Sequence, residues 1–318
     1  MDEGNVKNWP DREGHAAAFG AEAPAGVPAG VPPELVAAIR GHPAFPSAMR
    51  RSARAIVGAY RRNRLLNRLI SDRGRALFGI LAIYLHFHED ETGAGLTPSR
   101  MAGLCEGLGV CSRGRVKALL LLLRWAGHLA PAEASGDQRR RPLQPTARMT
   151  AAYRERWREQ LELLAPILPE VKPVAAALDR PEIFARFAVA LGSGLRSGFR
   201  ILDHCPALAR VAERDNGLLL MFSLALSGPA DGPVPPARAT VSIAALAGVA
   251  RVSRSHVLNV LREAERQGLV AREPASRHAD GIVLRCRPLL GDSLAGFFAA
   301  TYAVMAVAAR AVGRPAAP

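Results

Sequence analysis

The chain has 318 residues, 49% of them hydrophobic but only 5% aromatic, enough for about two domains whose cores rest on Ala, Leu and Val. With 42 Lys and Arg against 28 Asp and Glu, the formal net charge is +14, which favours a polyanionic partner. The four cysteines, Cys105, Cys111, Cys205 and Cys286, form no C-x-x-C pair, so neither a zinc ribbon nor a disulfide framework is expected, and a reducing cytoplasm is the simplest setting.

Residues 1–35 carry Gly, Ala and Pro without periodicity and read as a disordered tail with no secretory signal. Residues 36–75 read as a basic helical segment, in which Arg50, Arg51, Arg54, Arg61, Arg62, Arg64 and Arg68 alternate with Ile56, Val57, Tyr60, Leu65, Leu66 and Leu69. That helix either touches phosphates or exposes a solvated face while packing its apolar side. A first domain follows over 76–150, opening with an apolar helix at 76–87 and a polar loop at 88–95. Residues 151–213 form a helical connector, with wide apolar faces at 153–164 and 181–191. A second domain spans 214–290 and contains a loop at 227–239 whose Pro and Gly forbid a regular element. The chain closes with an apolar helix and tail over 291–318. Its apolar run, 294–309, is shorter than the ~18 to 20 residues of a membrane span, so no membrane partner is expected.

An internal repeat organises this layout. Shifted by 141 positions, residues 111–143 align with 252–284 without a gap: Ser112-Arg113 on Ser253-Arg254, Val116 on Val257, Leu120 on Leu261, Gly127 on Gly268, and Leu143 on Leu284. Upstream, Leu104 matches Leu246 if the first copy holds one extra residue. The second copy reads as a helix at 242–249, the turn Ala250-Arg251-Val252, and a second helix at 254–267. Ser253 is a good N-cap, because its hydroxyl accepts a free backbone N–H of the next turn. Val257, Val260, Leu261 and Ala264 share one inward face, and Gly268 suits the left-handed stop. A strand at 269–271, a polar tip at 274–280 and a returning strand at 281–284 complete a two-stranded wing.

The run VSRSHVLNVLREAERQGLV at 252–270 resembles the recognition helix of MarR-type winged helix-turn-helix regulators. In the first copy, VCSRGRVKALLLLLRWAGHL at 110–129 keeps the cap, the helix start and the final glycine, but Leu121, Leu122 and Trp125 replace Arg262, Glu263 and Arg266. Such an apolar outer face is expected to be covered by other protein. MarR-type proteins work as dimers with one winged helix per chain. The resemblance therefore implies a covalent pseudo-dimer: mainly α with small β-wings, tandem winged helix-turn-helix domains joined by a helical bundle. It also implies double-stranded DNA as partner, and a small-molecule effector held between bundle and wings.

In helix-turn-helix proteins the first residues of the second helix meet base edges in the major groove. Here these are Arg254, Ser255, His256 and Asn259 in the second copy, and Arg113, Arg115 and Lys117 in the first. Ser112 and Ser253, as caps at helix N-termini, suit phosphate contact. The cationic wing tips, Arg139, Arg140 and Arg141 in one copy and Arg277 and His278 in the other, suit the DNA backbone. Each assignment has a plainer counterpart: a solvated helix start, a solvated loop, or a cap and nothing more.

His86, His88, Glu89, Asp90 and Glu91 do not share a helix face, so no metal site is expected. Gly192-Ser193-Gly194 fails the context of a dinucleotide loop, since a helix rather than a strand precedes it. Cys111, beside a helix start, is either a redox-sensitive thiol or a small buried side chain. With no catalytic constellation, no enzyme and no cofactor are expected. The chain is read as a transcriptional regulator gripping a bipartite duplex site. The alternatives are a plasmid-type replication initiator, and a protein-interaction scaffold whose winged helices have lost DNA. Further self-association of the chain is left open.

Overall fold

A computed structural model of the chain describes residues 30–62, 73–89, 95–132, 142–278 and 281–313. It is mainly helical with two small antiparallel sheets. Helix α1 (Pro33–Gly41) starts on a proline with Glu34 in its first turn, so order begins before the expected end of the tail at residue 35: proline fixes φ for the opening turn and needs no partner for a missing N–H. Helix α2 (Phe45–Arg62) follows, then α3 (Arg73–Phe87), α4 (Pro98–Gly107) and α5 (Arg113–Trp125). The hairpin of β1 (Leu129–Pro131) and β2 (Leu143–Pro145) leads into α6 (Ala147–Leu164).

The second half also runs from helices through a hairpin to a closing helix, with one strand added. A 3-10 turn and α7 (Lys172–Ala177) lead to α8 (Pro181–Arg196), a second 3-10 turn to α9 (Pro206–Ala212), and α10 (Gly217–Ala225) to β3 (Arg238–Val241). Then come α11 (Ile243–Ala250), α12 (Arg254–Arg266), β4 (Val270–His278), β5 (Gly281–Cys286) and α13 (Pro288–Gly313). Three expected domain boundaries, after residues 75, 150 and 290, fall inside α3, α6 and α13, because each of these helices carries its unit into the core.

Two expectations for the second unit are corrected. The sheet has three strands in the order β3-β5-β4 rather than two. Arg238 and Ala239, read as loop, sit on β3 opposite Arg285 and Leu284, where ladder bonds to β5 outweigh the weak local signal of a four-residue strand. The strand β4 also runs on through His278, past the expected tip at 274, with a register shift between Arg272 and Arg277. In the first unit no strand equivalent to β3 is described; Leu96 alone takes that place, its carbonyl accepting from Leu143 N–H at 2.8 Å.

The 141-residue repeat is written into the backbone. Leu129 faces Pro145 across the first hairpin and Val270 faces Cys286 across the second. His128 N–H donates to Leu123 O, and Leu269 N–H to Ala264 O; Thr146 N–H donates to His128 O, and Arg287 N–H to Leu269 O. Gly127 and Gly268 end their helices at φ 72° and 71°, a region that costs glycine little. Upstream the offset becomes 142. Gly109 and Arg251 share a left-handed φ of 61° and 53°, and Val110 N–H and Val252 N–H each close on a helix carbonyl, of Cys105 and Ala247. The extra residue of the first copy is therefore Cys111.

Tertiary packing repeats too, in exchanged form. Helix α2 packs on α10 and α11 of the second unit, while α8 packs on α3 of the first. Helix α13 runs through the middle, against α1, α2, α6, α7, α8 and α9. By length and composition it is apolar enough to cross a membrane, but 72% of its most apolar window is buried inside the protein. It acts here as the central core helix.

Gly192-Ser193-Gly194 lies inside α8 and has a packing role. A Cβ on Gly192 would come within 2.4 Å of the Tyr84 ring on α3, and one on Gly194 within 3.3 Å of Val304 on α13. Small residues here let α8 sit tightly between its two neighbours. Gly192→Ala should destabilise the protein by about 1 to 3 kcal/mol through overpacking. Chemical denaturation measures this, and an unchanged midpoint would mean Tyr84 moves aside freely.

Candidate nucleic-acid interface

The turn between α11 and α12 exposes Arg251, and Ser253 then caps α12, its Oγ accepting His256 N–H at 3.1 Å. Such a cap satisfies one of the helix's free donors and fixes where the chain enters it. Val257, Val260, Leu261 and Ala264 are buried as their spacing requires. The opposite ridge is Ser255, Asn259, Arg262 and Arg266, all exposed. Arg254 is exposed and makes no hydrogen bond or ion pair among the described residues. Ser255 Oγ lies 2.9 Å from Ser253 Oγ, and Asn259 Oδ1 accepts from Arg262 at 2.7 Å.

His256 stands apart from its expected neighbours. Its Nε2 is 2.8 Å from the carbonyl of Asp215, in the segment before α10. The ring fastens the start of α12 to the body of the unit, which leaves it poorly placed to read a base. Glu263, expected on the outer face, is only 6% exposed. It accepts from Arg214 at 3.0 Å, from Gln267 at 2.9 Å and from Arg266. Burial alone raises its pKa, but the bonds from Gln267 and Arg214 and the charges of Arg266 and Arg214 hold it below the ordinary value of 4.5.

In the first unit Ser112 occupies the cap position of α5 without a side-chain cap bond. Arg113, Arg115 and Lys117 are exposed. Arg113 pairs with Glu106 at 2.8 Å, both well exposed, a pair of little strength in water. Within the chain, among the described residues, the apolar outer face is uncovered: Leu121 is 63% and Trp125 76% exposed. Leu122, the counterpart of Glu263, is half-buried and turns toward the core. Cys111, just before the cap residue Ser112, is half-buried too, and its thiol hydrogen-bonds that of buried Cys105, which together with burial pushes the Cys105 thiol upward.

His128, absent from the expectations, is buried where the second unit has Leu269. Its Nε2 finds no partner among the described residues, and burial followed by the nearby Arg148 charge pushes its pKa down. The 141-residue shift sets it on apolar Leu269, and that correspondence is the signal in the sequence for its burial. Of the wing tips, Arg139, Arg140 and Arg141 lie outside the described residues, and for Arg277 and His278 only the strand backbone is described. In the basic helical segment Arg51 and Arg54 are exposed, whereas Arg50 donates to the carbonyls of Pro229 and Ala230 at 3.2 and 2.6 Å. His88 stacks on Tyr84 and His86 meets Phe87 edge-on. No metal-binding group of His, Cys, Asp or Glu occurs among the described residues.

A carboxylate whose pKa is depressed on folding adds stability above its ordinary value and loses it as pH falls through the lower, folded value. Acidification below about pH 4.5 should therefore weaken the second unit as Glu263 takes up a proton. In Glu263→Gln the stability should be lower at neutral pH and the acid-induced fall smaller. Urea melts of both proteins across that range test this, and parallel pH curves would remove Glu263 from the acid response. Comparison with family models, with curated proteins and with solved structures gave no match for this chain.

Proposed function

We propose that the protein is a DNA-binding transcriptional regulator that carries two winged helix-turn-helix units in one chain and grips duplex DNA. The observation that carries this reading is the second unit's basic, exposed helix start. Arg254 is free of partners among the described residues and stands at the first position of a capped helix, beside exposed Ser255, Asn259 and Arg251. A helix of this size fits the major groove, where Arg pairs with guanine and Asn with adenine. Ser253 and the α12 N-terminus suit a phosphate, as do Ser112, Arg113 and Arg115 at the start of α5. The net charge of +14 supports strong backbone attraction.

The exchanged packing supports a pseudo-dimer. Units that exchange helices in this way resemble the subunits of a dimer, which present equivalent helices to one duplex. The wing hairpins follow each recognition helix and would track the flanking backbone. A small-molecule effector would act by changing the angle between the units through the shared core. A replication initiator would use the same contacts at repeated origin sequences, so the bound sequence separates the two roles.

Selection from a random duplex pool should return a motif with two half-sites spaced by about one helical turn. On that motif Arg254→Ala should cost about 1 to 3 kcal/mol and relax preference at one position. Binding should also fall steeply with salt. An equal loss on every sequence would reduce Arg254 to a phosphate contact, and the absence of any salt-dependent duplex binding would overturn the proposal.

A further inference from the structure

The two recognition-type helices share a backbone but differ in what they show the solvent. At equivalent positions, α12 exposes Ser255, Asn259, Arg262 and Arg266, whereas α5 exposes Gly114, Ala118, Leu121 and Trp125. The spacing of four, three and four residues puts each set on one ridge. On α12 the ridge is a row of hydrogen-bonding groups. On α5 it is small at one end and large and apolar at the other.

Large apolar side chains left in water on a folded surface mark contact sites, and Trp is favoured at the energetic centre of interfaces. The inner side of α5 is fully used: Val116, Leu119, Leu120 and Leu123 are all buried. Leu121 and Trp125 are therefore surplus to the core. A Cβ on Gly114 would meet nothing within 4 Å, so a partner's backbone can approach closely at that end. The surroundings set the sign of the partner. Helix α5 holds Arg113, Arg115, Lys117 and Arg124 and not one acidic residue. Lys117 and Arg124 make no ion pair among the described residues.

We infer that the α5 ridge Gly114-Ala118-Leu121-Trp125 is a docking site for an acidic amphipathic helix of a partner protein, with carboxylates flanking its apolar stripe. The partner's leucines pack on Leu121 and Trp125, and its carboxylates meet Lys117 and Arg124, the helix-on-helix mode of recognition. A second copy of this chain is a poor occupant, since pairing α5 with α5 sets cations against cations. A lipid surface calls for a wide apolar face, and this ridge is a single row. Duplex DNA gains nothing from Leu121 or Trp125 against its phosphates. The inference goes beyond DNA binding by α12 and stands without it.

Trp125 reports its own occupancy. Trp157 is buried and Trp9 is removed with Trp9→Phe, so the exposed emission belongs to Trp125. The probe is a synthetic helical peptide with leucines on one ridge between glutamates, alongside the same peptide with lysine for every glutamate. The glutamate peptide should shift Trp125 emission to the blue and saturate, and salt should weaken it; the lysine peptide should do neither. With fluorescein-labelled peptide, Leu121→Ser and Trp125→Ser should each weaken binding about tenfold or more, while thermal melts by circular dichroism stay in place because both side chains are exposed.

Equal binding of the two peptides, or unchanged affinity in both variants, overturns the inference. So does a Trp125 shift produced by random duplex DNA or by anionic phosphatidylserine vesicles while the glutamate peptide has no effect. Failure of duplex binding elsewhere leaves these readouts untouched, so this inference and the DNA-binding proposal fail separately.

Discussion

The arrangement depends on burying one long helix, α13, in a chain of which only 5% is aromatic. Alanine is the commonest residue of its interior face: Ala299, Ala300, Ala303, Ala306, Ala308 and Ala309 are all buried. Small side chains contribute little area each, so stability has to come from close approach over a long contact. Gly296 brings the helix so near the second 3-10 turn that a Cβ would meet the His204 carbonyl at 2.1 Å. The phenol of Tyr302 donates to the Ala48 carbonyl at 3.1 Å and touches Ser52, which donates to Gln160 at 2.8 Å. This polar knot ties α2, α6 and α13 at one point, and its buried groups are costly unless all are paired in that single arrangement.

The central helix draws neighbours from both halves of the chain, and the exchange of α2 and α8 adds a second link. Each unit's leading helix rests on a helix that belongs, by sequence order, to the other unit. The angle between α5 and α12 is therefore a property of the shared core rather than of a linker. Packed cores deform in discrete steps rather than continuously. A signal that repacks α8 between Tyr84 and Val304, for example, would be felt at both surfaces together.

What the sequence made legible was what the backbone itself constrains. A cap at Ser253, a glycine at 268 and four apolar residues at helical spacing are local, and each does in the structure what its chemistry requires. The third strand was hidden because Arg238–Val241 is short and lies behind a run of Pro and Gly; only its partner β5 makes it a strand. Helices α7, α9 and α10 were hidden because short helices carry too few turns to show a period. On the candidate interface, exposure of Arg113, Arg115, Lys117, Arg254, Ser255 and Asn259 followed from helical phase alone. The tether from His256 to Asp215 and the burial of Glu263 did not, because both depend on segments 41 and 49 residues away in sequence.

The same logic explains where the two units diverge. Val116 and Val257, Leu120 and Leu261, Leu143 and Leu284 keep one pattern because each fills a closed space, and a change of volume there is felt directly. Gly127 and Gly268 keep theirs because the backbone needs a positive φ. The outward ridge answers to no such demand from the fold. The polar ridge on α12 fits the proposed duplex DNA, and the apolar, cation-flanked ridge on α5 fits the proposed partner helix. One backbone scaffold is kept at both places, and its two outer faces are unlike.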